Sequence, residues 1–130
     1  MKWEFKNGVP IYQQIIEILH MRVVNGTYPP GSRIPAVREL AVEAGVNPNT
    51  MQRALAQMEQ EGLFVSWRTS GRTVTEDVGK IEELREKMGS HFVEELFTGL
   101  RELGFSDVQI MKTVKDHIEQ QGVESLQEEL

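Results

Sequence analysis

The chain has 130 residues, of which 39% are apolar and 26% charged, and this composition is typical of a globular protein of one or two small domains. No apolar run is long enough to span a bilayer and no signal-peptide core is evident, so we expect a cytoplasmic protein. Cysteine is absent, which excludes disulfides and thiolate metal sites. The net charge of −6 falls entirely in residues 80–130, whereas residues 1–79 carry eight basic and eight acidic residues. The overall acidity therefore does not exclude a nucleic-acid-binding face in the first part of the chain.

Apolar residues at helical spacing predict three helices in the first part of the chain. Asn47 is a favourable N-cap and Pro48 suits the first helical position, so both mark the start of the third helix. The second and third helices are separated by a short turn that contains Gly45, which is typical of a helix-turn-helix. The three helices are predicted over residues 11–24, 36–44 and 48–61.

Two short runs of β-favouring residues follow the third helix, over residues 63–67 and 72–75. The loop between them ends at Gly71, which accepts the positive φ angle that hairpin turns require. A hairpin directly after a helix-turn-helix is a wing. The sequence therefore predicts a mainly α fold with a small β-hairpin, in which residues 1–78 form an N-terminal winged helix-turn-helix domain.

The remaining residues, 79–130, are predicted to form a C-terminal two-helix dimerisation hairpin, with helices over about 80–103 and 107–121. Ser106 and Gln109 have the spacing of a capping box, which specifies the start of the last helix. One stripe of the longer helix is too apolar for solvent, and we expect it to form the interface of a homodimer. The alternative is that it folds back on the winged domain. The stripe consists of Ile81, Leu84, Met88, Phe92, Leu96, Leu100 and Leu103.

The third helix carries the polar side chains that a recognition helix needs in the major groove of DNA. Asn and Gln pair with adenine and Arg with guanine, and each pair discriminates between bases by about 1–3 kcal/mol. A solvated helix face with an ordinary Asn cap is the alternative interpretation. The candidate residues are Asn47, Asn49, Thr50, Gln52 and Arg53.

Further arginines surround this helix. Arg33 and Arg38 lie at the second helix, which should run along the phosphates, although Arg38 could instead pair with Glu39 or Glu43. At the wing, two arginines flank small hydroxyl residues, which suits phosphate or minor-groove contact. Trp67 either packs under the hairpin, which we favour, or reaches the DNA backbone. The wing residues are Arg68, Thr69, Ser70, Gly71 and Arg72.

Several motifs between residues 9 and 77 occur in the order and spacing of one known family. They include Pro-Ile-Tyr-Gln-Gln-Ile at residues 10–15, Pro-Gly-Ser-Arg-Ile-Pro at 30–35, Val-Arg-Glu-Leu-Ala at 37–41 and Gly-Val-Asn-Pro-Asn-Thr at 45–50. In these segments the chain resembles the GntR family of bacterial regulators. The resemblance implies that the wing tip reaches the minor groove, and it implies DNA-facing positions for Arg38, Asn47, Asn49, Thr50 and Arg53.

The part of the chain from Gly79 onward resembles the YtrA-type subgroup, whose compact helical region mainly dimerises and which often regulates operons of ABC transporters. The resemblance implies a palindromic double-stranded DNA operator and repression of such an operon or of the chain's own operon. The larger effector-binding domains of the family do not fit in the residues that remain. Two features depart from the family pattern: Ala36 replaces a usual Ser, and the wing has Thr69 for Gly and Thr73 for an aromatic or aliphatic residue.

Catalytic and metal-binding patterns are absent from the sequence. His20, His91 and His117 are far apart, and no nucleophile elbow, phosphate loop or zinc signature occurs. We therefore expect no enzyme activity, no cofactor and no metal, and the sequence indicates no particular small-molecule effector. The alternative function is a protein-interaction module that uses the winged domain and the acidic helical hairpin.

Overall fold

The structure, a computed structural model, describes residues 3–122. Two compact units are present, one up to residue 86 and the other from residue 87. The predicted fold class, mainly helical with one antiparallel hairpin, is confirmed, and the predicted elements agree with the observed ones within two residues at each end. The predicted second region extends to residue 130, and residues 123–130 lie outside the described part. The elements in chain order are α1 (Ile11–Val24), α2 (Val37–Ala44), α3 (Pro48–Gln60), β1 (Phe64–Trp67), β2 (Gly71–Val74), α4 (Val78–Glu102) and α5 (Asp107–Gln120).

The first unit is built around the apolar faces of α1, α2 and α3. Each helix contributes residues at three- and four-residue spacing, which lie on one side of a helix and meet in a common core. The hairpin joins this core through one apolar side chain from each strand, Phe64 and Val74. The core includes Ile15, Leu19, Leu40, Met51, Leu55, Met58, Phe64 and Val74.

The hairpin is tied to the loop that precedes α2. β1 and β2 pair antiparallel, from Phe64 opposite Val74 to Trp67 opposite Gly71. Gly71 has a φ of +79°, which allows the chain to turn into β2. Backbone hydrogen bonds from Ile34 to Arg72 (3.0 Å) and from Val74 to Ser32 (2.9 Å) extend the pairing to the segment before α2. The wing is therefore fixed on two sides.

The two capping predictions are confirmed. The Asn47 side chain accepts a hydrogen bond from the backbone of Asn49 at 2.7 Å and so caps α3. Ser106 and Gln109 form the reciprocal bonds of a capping box at the start of α5. Within the described residues, no helix is both long enough and apolar enough to cross a membrane.

The first compact unit extends to residue 86 and so includes the first turns of α4. Ile81 is 6% exposed and belongs to the core of this unit, and Leu84 packs against the same core. Burial of these side chains fixes the first two turns of α4 to the winged unit. Ile81, expected at the dimer interface, consequently has little surface to offer to a partner.

Gln14 provides a test of how the N-terminal segment is held on α1. It is 7% exposed, and its side chain bonds to the backbone N–H and C=O of Lys6 (2.7 and 2.9 Å) and to the C=O of Val9 (2.9 Å). Gln14→Ala leaves these three groups unsatisfied, so we expect a loss of about 1–3 kcal/mol in the free energy of unfolding, measured in urea. Gln13→Ala is the matched control, because its exposed side chain makes one long hydrogen bond of 3.5 Å. Equal effects of the two substitutions would contradict the anchoring role.

Candidate nucleic-acid interface

The turn between α2 and α3 sets the angle of a helix-turn-helix. Gly45 adopts a left-handed conformation with a φ of 70°, and the N–H of Val46 bonds back to Ala41 at 3.0 Å. The chain then extends through Asn47 and starts α3 at Pro48. One turn thus ends α2 and directs α3 across it, with the N-terminus of α3 at the surface.

The α3 helix has one buried and one outward face. Its buried face is apolar and wholly covered, and its outward face carries Asn49, Gln52 and Arg53, all exposed, around the small side chain of Ala56. Thr50 is half-buried at the edge. The structure therefore brings the predicted residues of α3 to one surface, where amide and guanidinium groups point outward and a small residue permits close approach.

Asn47 differs from the other candidates of this helix because its side-chain oxygen is already used. The cap bond to Asn49 engages Oδ1, while the residue itself is exposed. Its position in the structure is that of a helix cap at the edge of the surface.

Arg53 is held by a residue that the sequence did not indicate. Its guanidinium carbon lies 3.7 Å from the ring centroid of Tyr12, in the first turn of α1. The distance is that of a cation–π stack. Sequence reasoning missed Tyr12 because the two residues are far apart in the chain and meet only through the packing of α1 on α3.

The two arginines assigned to the second helix occupy different places. Arg38 lies on α2, is exposed, and forms no ion pair with another described residue; Glu43 is instead 3.6 Å from Arg22. Arg33 precedes α2, pairs through its backbone with Thr73, and lays its guanidinium beside Gly71. Arg33 is therefore part of the wing surface.

The wing tip consists of Arg68, Thr69 and Ser70, which are exposed in the turn between the strands. Arg72 points to the other side of β2 and is ion-paired with Glu59 near the C-terminal end of α3. The charge of Arg72 is thus paired within the chain, in a contact that links the wing to α3.

The expectation that Trp67 packs under the hairpin is wrong. Its side chain is 54% exposed on the outer face of β1, and its Nε1 donates a hydrogen bond to Oγ1 of Thr73 at 2.8 Å. Thr73, which replaces the usual larger residue, supplies this acceptor. The indole therefore lies over the wing and faces outward on the same side of the strands as Gly71.

An open groove of about 610 Å³ separates the wing from the start of α2. Its lining includes Arg33, Arg72, the segment from Pro35 to Val37 and the acidic residue Glu39. Ala36, the N-cap of α2, makes no side-chain cap bond, so the first N–H groups of α2 receive no acceptor from it. Among residues 3–122, no cluster of His, Asp or Glu side chains could hold a metal ion.

The second unit exposes much of its apolar surface. Phe92, Leu96 and Leu103 of α4 are 58%, 42% and 74% exposed and lie on one side of the helix, while Met88 and Leu100 are half-buried beside them. Among the described residues from 87 onward, Ile110 alone is buried. This part of the chain therefore has almost no core of its own.

The chain is similar in sequence to known bacterial transcriptional regulators. The chain matches the model of the bacterial regulatory proteins, gntR family, over residues 11–74. It is 32% identical to the HTH-type transcriptional regulator YhcF of Bacillus subtilis over 116 aligned residues. The alignment covers 89% of this chain and 96% of YhcF. It is 30% identical to the HTH-type transcriptional repressor YtrA of the same bacterium over 101 aligned residues. That alignment covers 73% of this chain and 78% of YtrA.

Solved structures show the same similarity. A GntR family transcriptional regulator from Listeria monocytogenes has a TM-score of 0.80 and 36% identity, over 86% of this chain and 98% of that one. The DNA-binding domain of AraR, solved in complex with operator ORX1, has a TM-score of 0.52 and 26% identity, over 58% of this chain and 99% of that one. The similarity to the operator-bound protein thus concerns part of this chain.

The ion pair between Arg72 and Glu59 predicts a measurable coupling between wing and helix. The two side chains are 19% and 30% exposed, so the pair is partly shielded from water. Glu59→Gln keeps the size of the side chain and removes its charge, and we expect it to weaken the hairpin by about 1 kcal/mol. Amide hydrogen exchange in β1 and β2 should accelerate, whereas Gln60→Ala, an exposed neighbour, should leave it unchanged. Unchanged exchange in Glu59→Gln would contradict the coupling.

Proposed function

Because the chain belongs to the GntR family and is a DNA-binding transcriptional regulator, we propose that it acts as a dimeric repressor of a palindromic operator. The observation that carries the proposal is the outward face of α3, where Asn49, Gln52 and Arg53 stand exposed around Ala56. Repression follows if the operator overlaps a promoter, because bound protein then blocks the polymerase. A regulator of this kind works on the chromosome, in the cytoplasm.

The major groove is the proposed site of α3. It admits a helix and presents distinct donor and acceptor patterns for each base pair. Asn49 and Gln52 offer both a donor and an acceptor, which suits adenine, and Arg53 offers two parallel donors, which suit guanine. Asn47 and Thr50 lie at the edge of this face and are proposed to contact the adjacent backbone.

The phosphate backbone is the proposed partner of α2 and its start. Arg38 is exposed without an ion pair among the described residues, so its charge is available to a phosphate. Arg33 and the uncapped N–H groups at the start of α2 border the same groove and are proposed to contact a phosphate there, and the carboxylate of Glu39 also lines this groove. These backbone contacts would compensate for the hydroxyl that Ala36 lacks.

The wing is proposed to contact the minor groove or its phosphates through Arg68, Thr69 and Ser70. These residues are exposed at the tip, and Gly71 permits the tight turn that presents them. Arg72 contributes by holding the wing to α3 through Glu59. Trp67 lies exposed on the outer face of the wing, opposite Gly71 in the strand pairing.

A second copy of the chain is the proposed partner of the apolar stripe on α4. Among the described residues from 87 onward a single side chain is buried, and a unit so small rarely folds without a partner. Two copies related by a two-fold axis would cover Phe92, Leu96 and Leu103 and present two recognition helices. Their half-sites would then lie about one helical turn apart.

The target operon is proposed from the resemblance to the YtrA-type subgroup. An operon for an ABC transporter, or the operon that encodes the chain itself, is the expected target. Transporter genes adjacent to the gene of this chain would support the first target, and binding to the promoter of that gene would support the second.

A small-molecule effector would be identified in two steps. A metabolite that raises the melting temperature of the protein in a screen should also release it from operator DNA.

An operator is first selected by the full chain from a pool of random DNA duplexes. Substitutions at base contacts and at phosphate contacts should then change binding to this operator in different ways. Asn49→Ala removes a base-edge contact, so it should weaken operator binding by about 1–3 kcal/mol and relax specificity at one position of each half-site. Arg38→Ala removes a phosphate contact, so it should weaken binding to all sequences. The slope of the logarithm of affinity against the logarithm of salt concentration should fall by about one. Fluorescence anisotropy at several salt concentrations measures both quantities.

Lys112→Ala is the matched control, because Lys112 is an exposed cation on α5, outside the winged unit. It should leave operator affinity and specificity unchanged. If random DNA of equal length bound as tightly as the selected operator at physiological salt, operator-specific regulation by this chain would be refuted.

The dimer is tested by a charge placed in the apolar stripe. Phe92→Glu places a carboxylate on the surface proposed to be buried between copies, so the chain should sediment as a monomer and bind the full operator more weakly. Thr98→Glu introduces the same charge on a different side of α4 and should remain dimeric. A wild-type chain that sediments as a monomer at high concentration would contradict the proposed dimer.

A further inference from the structure

The stack between Tyr12 and Arg53 joins the first turn of α1 to the outward face of α3. The guanidinium carbon stands 3.7 Å from the ring centroid, so the planar cation lies against the face of the ring. Tyr12 is half-buried, and Arg53 is exposed. The ring is thus held by the first unit, while the cation rests on it at the surface proposed to meet DNA.

The chemistry of this contact leaves Arg53 able to bind. A stack uses the face of the guanidinium, and its N–H donors point outward along the edge. No carboxylate among residues 3–122 is paired with Arg53, so its charge is not neutralised there. A free arginine samples many rotamers, and fixing it on contact with DNA costs conformational entropy. The ring restricts these rotamers before contact.

Tyr12 lies in the first turn of α1, on the same side of the helix as the fully buried residues Ile15 and Leu19. Burial of those two side chains fixes the helix that carries Tyr12, and Gln14 anchors the preceding segment. The hydroxyl of Tyr12 has one long contact of 3.5 Å, from Gln13. The described contacts of the Tyr12 side chain are thus this long bond and the stack with Arg53, and the stack uses the ring alone.

We propose that Tyr12 is a positioning residue for base recognition, which holds the Arg53 guanidinium in the orientation that pairs with a guanine in the operator half-site. The proposal rests on the proposed function, because it requires that α3 reads the major groove. Tyr12 acts through Arg53, and the aromatic ring is the part of it that matters. The ring thereby strengthens the preference for one base pair at the position that Arg53 reads.

A double-mutant cycle on the selected operator tests this role. The variants are Tyr12→Phe, which keeps the ring, Tyr12→Leu and Tyr12→Met, which remove it, Arg53→Ala, and the two combinations of Arg53→Ala with the ring-removing changes. Dissociation constants are measured for the operator and for every single-base-pair variant of one half-site. Thermal unfolding of each variant shows whether the core tolerates the change, and two ring-removing variants keep the test available if one is unstable.

Loss of the ring is expected to weaken operator binding about two- to fivefold in Tyr12→Leu and Tyr12→Met. It should also reduce the difference in affinity between base pairs at one position of the half-site, the position at which Arg53→Ala reduces it. The preference at the other positions should be unchanged. Tyr12→Phe should retain the wild-type preference. In the Arg53→Ala background, removal of the ring should bring no further loss, because the residue through which it acts is gone.

Three results would overturn the proposal. Equal losses in the presence and absence of Arg53 would show that Tyr12 acts through packing alone. A loss in Tyr12→Phe as large as in Tyr12→Leu would assign the effect to the hydroxyl, as a phosphate contact. An unchanged base preference in both ring-removing variants would separate Tyr12 from recognition. If the wild-type chain selects no operator, the proposed function is refuted instead. This outcome is separate, because the selection is done before any variant is measured.

Discussion

Burial of the apolar face of α3 is the constraint on which the rest of the structure depends. Met51, Ala54, Leu55 and Met58 are each fully covered, and each large side chain contributes about 1.5–3 kcal/mol through burial. Successive helical residues are 100° apart, so a rotation of α3 by one residue would expose part of this stripe and bury polar groups in its place. The outward face of α3 is therefore determined by the core, and the side chains that α3 is proposed to present to DNA follow from its packing.

The wing and the first turns of α4 are fixed to the same packed unit as α3. The wing is bound to α3 through the Arg72 and Glu59 ion pair and to the segment before α2 through backbone hydrogen bonds. The first turns of α4 join this unit through Ile81. The residues proposed to contact phosphates, bases and the minor groove thus sit on one packed unit, which would keep their spacing constant and reduce the ordering cost of binding. The dimer proposed for α4 would relate two such units.

Local sequence patterns predicted the elements well, because helical periodicity, the Asn47 cap and the Ser106 capping box depend on neighbouring residues. They also identified the polar residues of α3, since these alternate with its apolar stripe. Contacts between distant segments were not predictable in this way. Tyr12 meets Arg53 only because α1 packs on α3, and Arg33 joins the wing only because its segment pairs with β2. Trp67 lies outward because it is on the opposite face of β1 from buried Phe64, and the bond of its indole to Thr73 is a contact that the β-run alone does not reveal.

The central claim, that α3 reads the major groove of an operator, is tested most directly by methylation interference on the selected duplex. Methylation of guanine N7 modifies the major groove and methylation of adenine N3 the minor groove. The account predicts that N7 methylation at the half-sites blocks binding, in two clusters about one helical turn apart. Binding that tolerates N7 methylation throughout the operator, and is lost only through adenine N3, would place the protein in the minor groove and contradict the account.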